Sequence, residues 1–281
     1  MSRSRIRAKR PRQLKFDLHM HSDRSDGVCS PDEVWKRCAM AGLDVIALTD
    51  HDLPPVLPAG VRHHNGRQIR LLHGVEISTA YADKELHLLV YFPNEMPSHF
   101  VEFCTGLVKA RAKRYDEAID NIGLDGLHKA GSEAYRGEVS LTRTHLARAL
   151  VAAGHVPTVQ SAFDQWLGRH TKLVPRVTIS FQEAVVMAKE AGGFTSWAHP
   201  DLEDTKKWLA GFADMGLDAI EVFRPSMGRM ARDRLISLAH KHGVFMTGGS
   251  DYHGGSNRPL GSFSMSGRHV RPWAQRIDIE L

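Results

Sequence analysis

The sequence has few cysteines and no long hydrophobic run, and both absences restrict the kind of protein it can encode. Its three cysteines, Cys29, Cys38 and Cys104, show no spacing typical of a metal site or a redox pair. An odd count also argues against a disulfide framework, so we expect a reducing, cytoplasmic location. No apolar run is long enough to cross a bilayer, and the first residues lack the apolar core of a signal peptide. We therefore expect no membrane partner.

Acidic residues are missing from the first sixteen positions, which are rich in basic ones. Seven of the 37 basic residues precede Asp17, which leaves 30 basic against 32 acidic residues in the rest of the chain. They are Arg3, Arg5, Arg7, Lys9, Arg10, Arg12 and Lys15. We predict a basic, disordered arm over residues 1–15. A solubilising tail explains this composition, and so does an arm that contacts nucleic acid.

Length and composition fit one large α/β domain, or such a domain with an insert. The chain has 281 residues, of which 42% are apolar and 25% are charged, as is usual for globular proteins. Short apolar runs typical of buried strands occur on both sides of a central segment that has none. Strands are predicted at about 16–21, 45–48, 71–78, 86–92, 194–197, 219–223 and 244–247.

The central segment shows helix patterns only, at about 101–112, 142–153 and 161–167. We predict that residues 98–172 form an inserted helical subdomain, and that residues 16–97 and 173–281 form the α/β domain. Capping boxes that begin at Ser30 and Ser180 predict the starts of two helices in the α/β domain. Residues 53–70 are rich in proline and poorly periodic, which predicts a loop.

A histidine pair in the first predicted strand is the first sign of a functional site. Asp17, His19 and His21 alternate with apolar residues, so the two imidazoles point to the same side of the strand. Asp26 follows in a Ser-Asp-Gly turn that can fold back beside the strand end. Imidazole is the commonest metal ligand among side chains, although such a pair is as often an ordinary surface feature.

Further histidines and carboxylates occur where other predicted strands end, and the carboxyl ends of strands carry the active site in parallel α/β folds. The nine candidate ligands are His19, His21, Asp26, His51, Glu76, His87, His199, Asp251 and His253. A single zinc ion needs only three protein ligands and a water, so nine ligands fit two or three ions. The mixture of imidazoles and carboxylates suits Mn, Fe or Zn.

These motifs resemble those of the PHP (polymerase and histidinol phosphatase) family of metal-dependent phosphoesterases. All of the family's motifs occur in order, from His-x-His to Asp-x-His, across nearly the whole chain outside the arm. The resemblance implies a distorted (β/α)7 barrel. It also implies three ligand sets, in which Glu76 bridges two ions: His19, His21, Glu76 and Asp251; Glu76, His87 and His199; and Asp26, His51 and His253.

The predicted helical insert is similar to that of a single-domain bacterial branch of the family. Members of this branch act on small nucleotide phosphates such as 3′,5′-bisphosphonucleosides, and some digest RNA from the 5′ end. The resemblance implies that the insert covers the site and supplies cations to the phosphate. Arg143 and Arg176 are our candidates, because a guanidinium can hold phosphate through two hydrogen bonds. Either arginine could instead pair with a helix end.

The chain departs from the family after His51. An alanine-rich helix usually follows there, but Pro54, Pro55, Pro58 and Gly60 prevent a regular helix. No candidate ligand lies in this segment, so we expect the metal site to be kept and the rim of the pocket to differ. The departure bears on substrate choice more than on mechanism.

We therefore expect a metal-dependent phosphoesterase that hydrolyses nucleotide phosphates or short RNA, with metal-bound hydroxide as the nucleophile. His199 and His253 are candidates for proton transfer, but metal ligands are weak candidates, so the general acid is unassigned. A histidinol-phosphate-type phosphatase is the alternative within the enzyme class. A non-catalytic module that only binds nucleic acid or a partner is the alternative outside it. The sequence makes no prediction about the oligomeric state.

Overall fold

A single curved sheet organises the fold. The computed structural model describes residues 13–168, 170–225, 227–255 and 259–276. The strands are β1 (Lys15–Asp17), β2 (Val45–Leu48), β3 (Gly60–His64), β4 (Arg67–Tyr81), β5 (Lys84–Phe92), β6 (Phe194–Trp197), β7 (Ala219–Phe223), β8 (Phe245–Gly248) and β9 (Met265–Ser266). The helices are α1 (Pro31–Met40), α2 (Ser98–Ile122), α3 (Ser132–Arg136), α4 (Arg143–Ala152), α5 (Val159–Ala162), α6 (Phe181–Glu190), α7 (Leu202–Asp214), α8 (Arg229–His242) and α9 (Gly267–Arg276).

The sheet bends into a nearly closed barrel, with the strand order β8-β7-β6-β5-β4-β2-β1-β9. Strands β4, β5 and β6 are antiparallel neighbours. The pairs β1–β2, β2–β4, β6–β7 and β7–β8 are parallel, and β9 is antiparallel to β1. The two ends of the sheet meet where the Leu18 amide donates to the Gly248 carbonyl at 3.2 Å and the Asp251 amide donates to the His19 carbonyl at 2.8 Å. The predicted distorted barrel is confirmed.

Alternation along the strands decides which side chains enter the barrel. On β4, Val75 and Ile77 pack outward against the helices, so Glu76 points inward. On β5, Leu89 and Tyr91 contribute to the interior cluster, and His87 lies on the same face. The inner face is therefore apolar toward one end of the barrel and polar at the other end.

The predicted helix starts at Ser30 and Ser180 are confirmed. The Ser30 hydroxyl accepts from the Glu33 amide at 3.3 Å, and Ser180 exchanges hydrogen bonds with Glu183 in both directions. Strands β2, β6 and β7 have the predicted bounds. The first strand is shorter than predicted, because β1 ends at Asp17, so His19 and His21 lie just beyond it.

The prediction of a loop over residues 53–70 is correct for residues 53–59 and wrong from residue 60 onward. Gly60–His64 forms β3 and pairs antiparallel with the beginning of β4. Asn65 and Gly66 connect the strands with φ values of 48° and 71°, the backbone geometry that an Asn-Gly hairpin turn requires. The apolar pattern does not predict β3, because the strand is half exposed and lacks an apolar alternation. The Asn65-Gly66 pair is the sequence feature that marks this hairpin.

The segment from Ser98 to Leu167 contains helices but no strand among its described residues. Helices α2 and α4 pack around a small apolar core that includes Ile119, Leu146 and Leu150. A π-helical segment, Phe163–Leu167, follows α5 directly. This segment has the predicted helical character, and its treatment as a separate subdomain stays a prediction.

The basic arm falls mostly outside the described residues, since the structure describes the chain from residue 13 onward. Lys15, which we predicted as the last residue of the arm, is the first residue of β1 and pairs with Ser266. Among the described helices, none is long and apolar enough to cross a membrane.

Candidate metal centre

Glu76 lies at the centre of the candidate site. Its carboxylate is surrounded by five imidazole rings, each with a nitrogen within 3.3 Å of one carboxylate oxygen: His19, His21, His51, His87 and His199. Both oxygens are used, because Oε1 lies 2.9 Å from His87 Nδ1 and Oε2 lies 3.0 Å from His51 Nδ1. A carboxylate in this position can bridge two cations, as predicted for Glu76.

Asp26 forms the centre of a second group of ligands. Its Oδ1 lies 3.3 Å from His253 Nε2, and its Oδ2 lies 3.7 Å from His51 Nε2. His21 joins the same group, and the ligand atoms of these four residues all lie within 4.8 Å of one another. His21 and His51 therefore reach both Asp26 and Glu76, each through its two ring nitrogens.

Asp251 completes the cluster from the loop after β8. Its Oδ1 lies 3.4 Å from Nε2 of both His19 and His21. Asp251 and His199 have φ values of 51° and 32°, in the left-handed region that residues other than glycine rarely adopt. Such strained backbone is concentrated at functional sites. All nine predicted ligands thus converge, and their division among ions stays a prediction.

Unpartnered polar atoms test whether these residues fit metal ions. Buried ring nitrogens or carboxylate oxygens of five ligands have no hydrogen-bond partner: His19, His21, Asp26, His51 and Glu76. Leaving buried polar atoms unpaired is costly in a folded protein, so such a concentration in one place needs a reason. Cations held by these lone pairs supply one, and imidazole with carboxylate is the donor set of Mn, Fe and Zn sites. The residues fit divalent ions.

The charges in the cluster are strongly coupled. Burial alone would raise the pKa of Glu76, but the imidazoles of His51, His87 and His19 hold it well below its usual range. Burial opposes the charged form of His87, yet Glu76 and Glu85 raise its pKa to about 10. The carboxylates therefore stay ionised at neutral pH. Because protons compete with cations for the rings, we expect cation binding to weaken as the pH falls.

A tight turn fixes Asp26 beside the strand ends. The Asp50 carboxylate accepts hydrogen bonds from the Ser22 amide at 2.8 Å and from the Ser22 and Ser25 hydroxyls. A Cβ at Gly27 would lie 2.5 Å from the His21 carbonyl oxygen, so only glycine fits this close approach. Asp50 lies inside the motif that provides His51, but the sequence analysis gave it no role.

Exposure changes across the cluster from floor to rim. The side chains of His19 and Glu76 are 0% and 1% exposed, whereas those of His199, His253 and Asp251 are 33%, 35% and 38% exposed. The cluster is therefore closed at its floor, formed by His19 and Glu76, and open to solvent at its rim, formed by His199, His253 and Asp251.

The two arginines predicted to bind substrate have different surroundings. Arg143, at the start of α4, is 3.3 Å from Glu85, which in turn lies 3.7 Å from His87 Nε2. Arg176 is 73% exposed and pairs with the exposed Asp83 at 2.6 Å. Neither arginine pairs with a helix end in these contacts.

A cavity of about 460 Å³ joins the two arginines. Its lining comes from the β4–β5 turn, the start of α4 and residues 167–177: Ala80, Tyr81, Ala82, Asp83, Lys84, Glu85, Arg143, Leu167, Gly168, Lys172, Val174, Pro175, Arg176 and Val177. It borders the cluster through Glu85. A larger cavity of about 600 Å³ lies near Leu14, Asp44 and Arg70, at the opposite ends of the strands, and contains no predicted ligand.

A buried ion pair fastens the long helix α2 to the site. Arg111 Nη2 donates to Asp52 Oδ2 at 2.6 Å and to the Ser78 hydroxyl at 2.6 Å, and Asp52 Oδ1 accepts from the Ser78 amide at 2.7 Å. Asp52 directly follows His51 and has a φ of 55°. Arg111 lies in a predicted helix, but nothing in the local pattern identifies its partner 59 positions away.

A barrel that gathers nine imidazole and carboxylate side chains at one end of its interior is the arrangement expected of a metal-dependent hydrolase. The model of the PHP domain matches residues 17–186. The chain belongs to the PHP family, which confirms the resemblance and the prediction of a phosphate ester hydrolase.

Similar proteins carry names that describe hydrolases of phosphate esters. The 5′-3′ exoribonuclease Rnm of Salmonella typhimurium is 30% identical over 249 residues, which cover 85% of each chain. The 3′,5′-nucleoside bisphosphate phosphatase of Chromobacterium violaceum is 29% identical over 248 residues, covering 85% of this chain and 87% of the relative. A Bifidobacterium adolescentis crystal structure, proposed to be a metal-dependent phosphoesterase, has a TM-score of 0.75 at 26% identity, covering 95% of this chain and 97% of the other.

Proposed function

We propose that this phosphoesterase hydrolyses phosphate esters of nucleotides, with 3′,5′-bisphosphonucleosides as its small substrates. The observation that carries the proposal is the 460 Å³ cavity that is lined by Glu85, which lies 3.7 Å from His87. Its volume is within the range of about 300–1,000 Å³ usual for small-molecule sites. One wall is apolar, through Leu167, Val174 and Val177, and suits a base. Another part is cationic, through Arg143 and Lys172, and suits a phosphate.

The nine ligands would hold two or three divalent ions, with Mn, Fe and Zn as the candidates. Glu76 would be shared between two of them, because both of its oxygens face ring nitrogens. Divalent ions supply an activated water and neutralise the charge that develops on phosphoryl oxygens. We infer this role for the cluster from its unpartnered buried atoms.

The chain's own side chains would then bind and orient the ester. Arg143 would hold a phosphate beside Glu85, which lies 3.3 Å from its guanidinium and 3.7 Å from the His87 ring. His199 and His253 are the ring systems nearest to solvent, so they are the candidates for passing a proton to or from the rim. His199, His253 and Asp251 form the most exposed side of the cluster, and we propose that the ester is cleaved there.

Short RNA, degraded from its 5′ end, is the second candidate substrate. The name of the Salmonella relative favours it, and so do the seven basic residues that precede Asp17. A nucleic acid strand reaches beyond a pocket sized for one nucleotide, so a basic arm could follow its backbone. We infer that such binding would depend strongly on salt. The cytoplasmic location of this activity stays a prediction.

A substrate panel with added manganese tests the proposal. It compares kcat/KM for bisphosphonucleosides, mononucleotides, histidinol phosphate and 5′-phosphorylated RNA, with Glu76→Gln protein as the control for contaminating phosphatases. We expect a 3′,5′-bisphosphonucleoside to be preferred at least tenfold over histidinol phosphate. Equal or faster hydrolysis of histidinol phosphate would contradict the nucleotide proposal.

Deleting residues 1–13 separates the two nucleotide substrates. The deletion should leave bisphosphonucleoside hydrolysis nearly unchanged, because that substrate fits within the cavity. If RNA is a substrate, the deletion should raise its apparent KM and weaken the dependence of KM on salt. A large loss on the small substrate would refute this division.

A further inference from the structure

Glu221 is a fully buried carboxylate that the sequence analysis did not select. It lies in β7, where its neighbours Ile220 and Val222 face the outer apolar core. The alternation of the strand therefore points Glu221 into the barrel, below the ligand cluster. A buried carboxylate is costly unless it is hydrogen-bonded, so its partners show what it does.

The two oxygens of Glu221 contact two different predicted ligands. Oε1 lies 3.1 Å from Nδ1 of His19, in the segment after β1. Oε2 accepts a hydrogen bond of 2.8 Å from the backbone amide of His199, in the segment after β6. One carboxylate thus connects ligands that belong to different predicted ion sets.

The contact with His19 sets which ring nitrogen faces the cluster. Glu221 Oε1 lies at hydrogen-bond distance from Nδ1 of His19, so the contact holds the ring in one orientation. Nε2 then faces Glu76 Oε1 at 3.3 Å and Asp251 Oδ1 at 3.4 Å. This Nε2 is one of the buried atoms without a hydrogen-bond partner.

The contact with His199 stabilises an unusual backbone. His199 has a φ of 32°, which costs conformational energy unless the surroundings hold it. The Glu221 hydrogen bond fixes its amide, and Arg224 donates to the next carbonyl, that of Pro200, at 2.9 Å. The strained turn directs the His199 ring to Glu76 Oε1, 3.1 Å away.

We propose that Glu221 is a positioning residue that sets the ring orientation of His19 and the backbone turn of His199 together. The inference rests on the proposed metal centre. It adds that the two ion sites are assembled through one carboxylate, which touches no substrate. Residues that orient metal ligands in this way usually change metal affinity about 10- to 100-fold when they are replaced.

Metal affinity of Glu221 variants is the first test. Glu221→Gln keeps the size but has a single carbonyl oxygen, so it can accept from only one of the two donors. Ser196→Ala is the matched control, since it removes a 2.6 Å hydrogen bond to Thr247 inside the same barrel. Competition against a chromogenic chelator should show Mn or Zn binding weakened at least about tenfold in Glu221→Gln. The control should stay within about twofold of wild type.

Hydrogen exchange in metal-free protein is the second test and needs no bound ion. The His199 amide should be protected in wild type and in Ser196→Ala, and should exchange at least tenfold faster in Glu221→Ala. If Glu221→Ala fails to fold, Glu221→Met, whose side chain has no oxygen to accept from the amide, is measured in its place. Unchanged metal affinity in Glu221→Gln, with wild-type binding intact, would overturn the proposal, as would unchanged His199 exchange. A wild-type protein that binds no metal would instead refute the proposed metal centre, while exchange still tests the Glu221 contacts.

Discussion

The strand-end cluster and the cavity wall differ in how firmly their side chains are held. In the strand-end cluster, meaning the nine predicted ligands, Glu76 faces five rings and is 1% exposed. In the cavity wall, meaning Arg143, Lys172 and Arg176 with their neighbours, the arginine charges face single carboxylates, and Arg176 is largely exposed. The comparison teaches that the barrel fixes the chemistry in advance, whereas the wall can change its partners when a substrate binds.

Replacing the central carboxylate should have the largest effect. Glu76→Gln keeps the shape of the side chain but removes the negative charge that faces the rings. We expect hydrolysis to fall at least about a thousandfold, because the group that binds and bridges cations is lost. Steady-state kinetics measures the loss, and circular dichroism checks that the fold persists. Activity within tenfold of wild type would mean that Glu76 does not bridge ions.

Breaking the attachment of α2 should affect stability rather than chemistry. Arg111→Ala leaves the Asp52 carboxylate buried without its partner, and both side chains are at most 7% exposed. Removing one member of such a pair costs about 3–5 kcal/mol of unfolding free energy. Urea denaturation measures it, with the exposed pair variant Lys129→Ala as control, for which the change should stay below about 1 kcal/mol. Equal effects in the two variants would contradict the structural role of Arg111.

Arg143 should matter for both proposed substrates, since each must place a phosphate at the rim. Losing a charge-assisted hydrogen bond of about 1.5–3 kcal/mol should lower kcat/KM roughly 10- to 100-fold in Arg143→Ala. Arg143→Lys should recover part of the loss, because it keeps the charge but not the planar fork. An Arg143→Ala enzyme with unimpaired kcat/KM would remove Arg143 from the proposed site.

Replacing Arg176 should have the smallest effect on activity among these substitutions. It is 73% exposed and its partner Asp83 is 86% exposed, and ion pairs in such settings contribute little. We expect kcat/KM of Arg176→Ala to stay within about threefold of wild type on bisphosphonucleosides. A loss as large as that of Arg143→Ala would show that both arginines hold the phosphate directly, as the sequence analysis predicted.

Short apolar runs mark most of the strands in the sequence, and the candidate ligands are the histidines and carboxylates beside or within those runs. His51 and His199 follow β2 and β6, whereas Glu76 and His87 lie inside β4 and β5. The structure brings all nine candidates together, and their role as ligands stays a prediction. Contacts between distant parts of the chain left no local pattern. Asp52 and Arg111 are 59 positions apart, and Glu221 is 202 positions from His19.

Two features of the sequence mark parts of the structure that the apolar patterns alone do not predict. A lone carboxylate in the apolar strand Ala219–Phe223 marks Glu221, because burying it requires a partner. The Asn65-Gly66 pair marks the hairpin of β3 and β4. The end of β1 could not be placed from the sequence, because the alternation of apolar and polar residues continues past Asp17 after the strand pairing has stopped.

The metal content of the purified protein tests the central claim most directly. Elemental analysis of wild-type protein prepared without chelator should find two or more divalent ions per chain. Glu76→Gln prepared in the same way should contain fewer, since the shared ligand is lost. One ion or fewer per wild-type chain, with no increase in hydrolysis when manganese is added, would contradict the multinuclear centre.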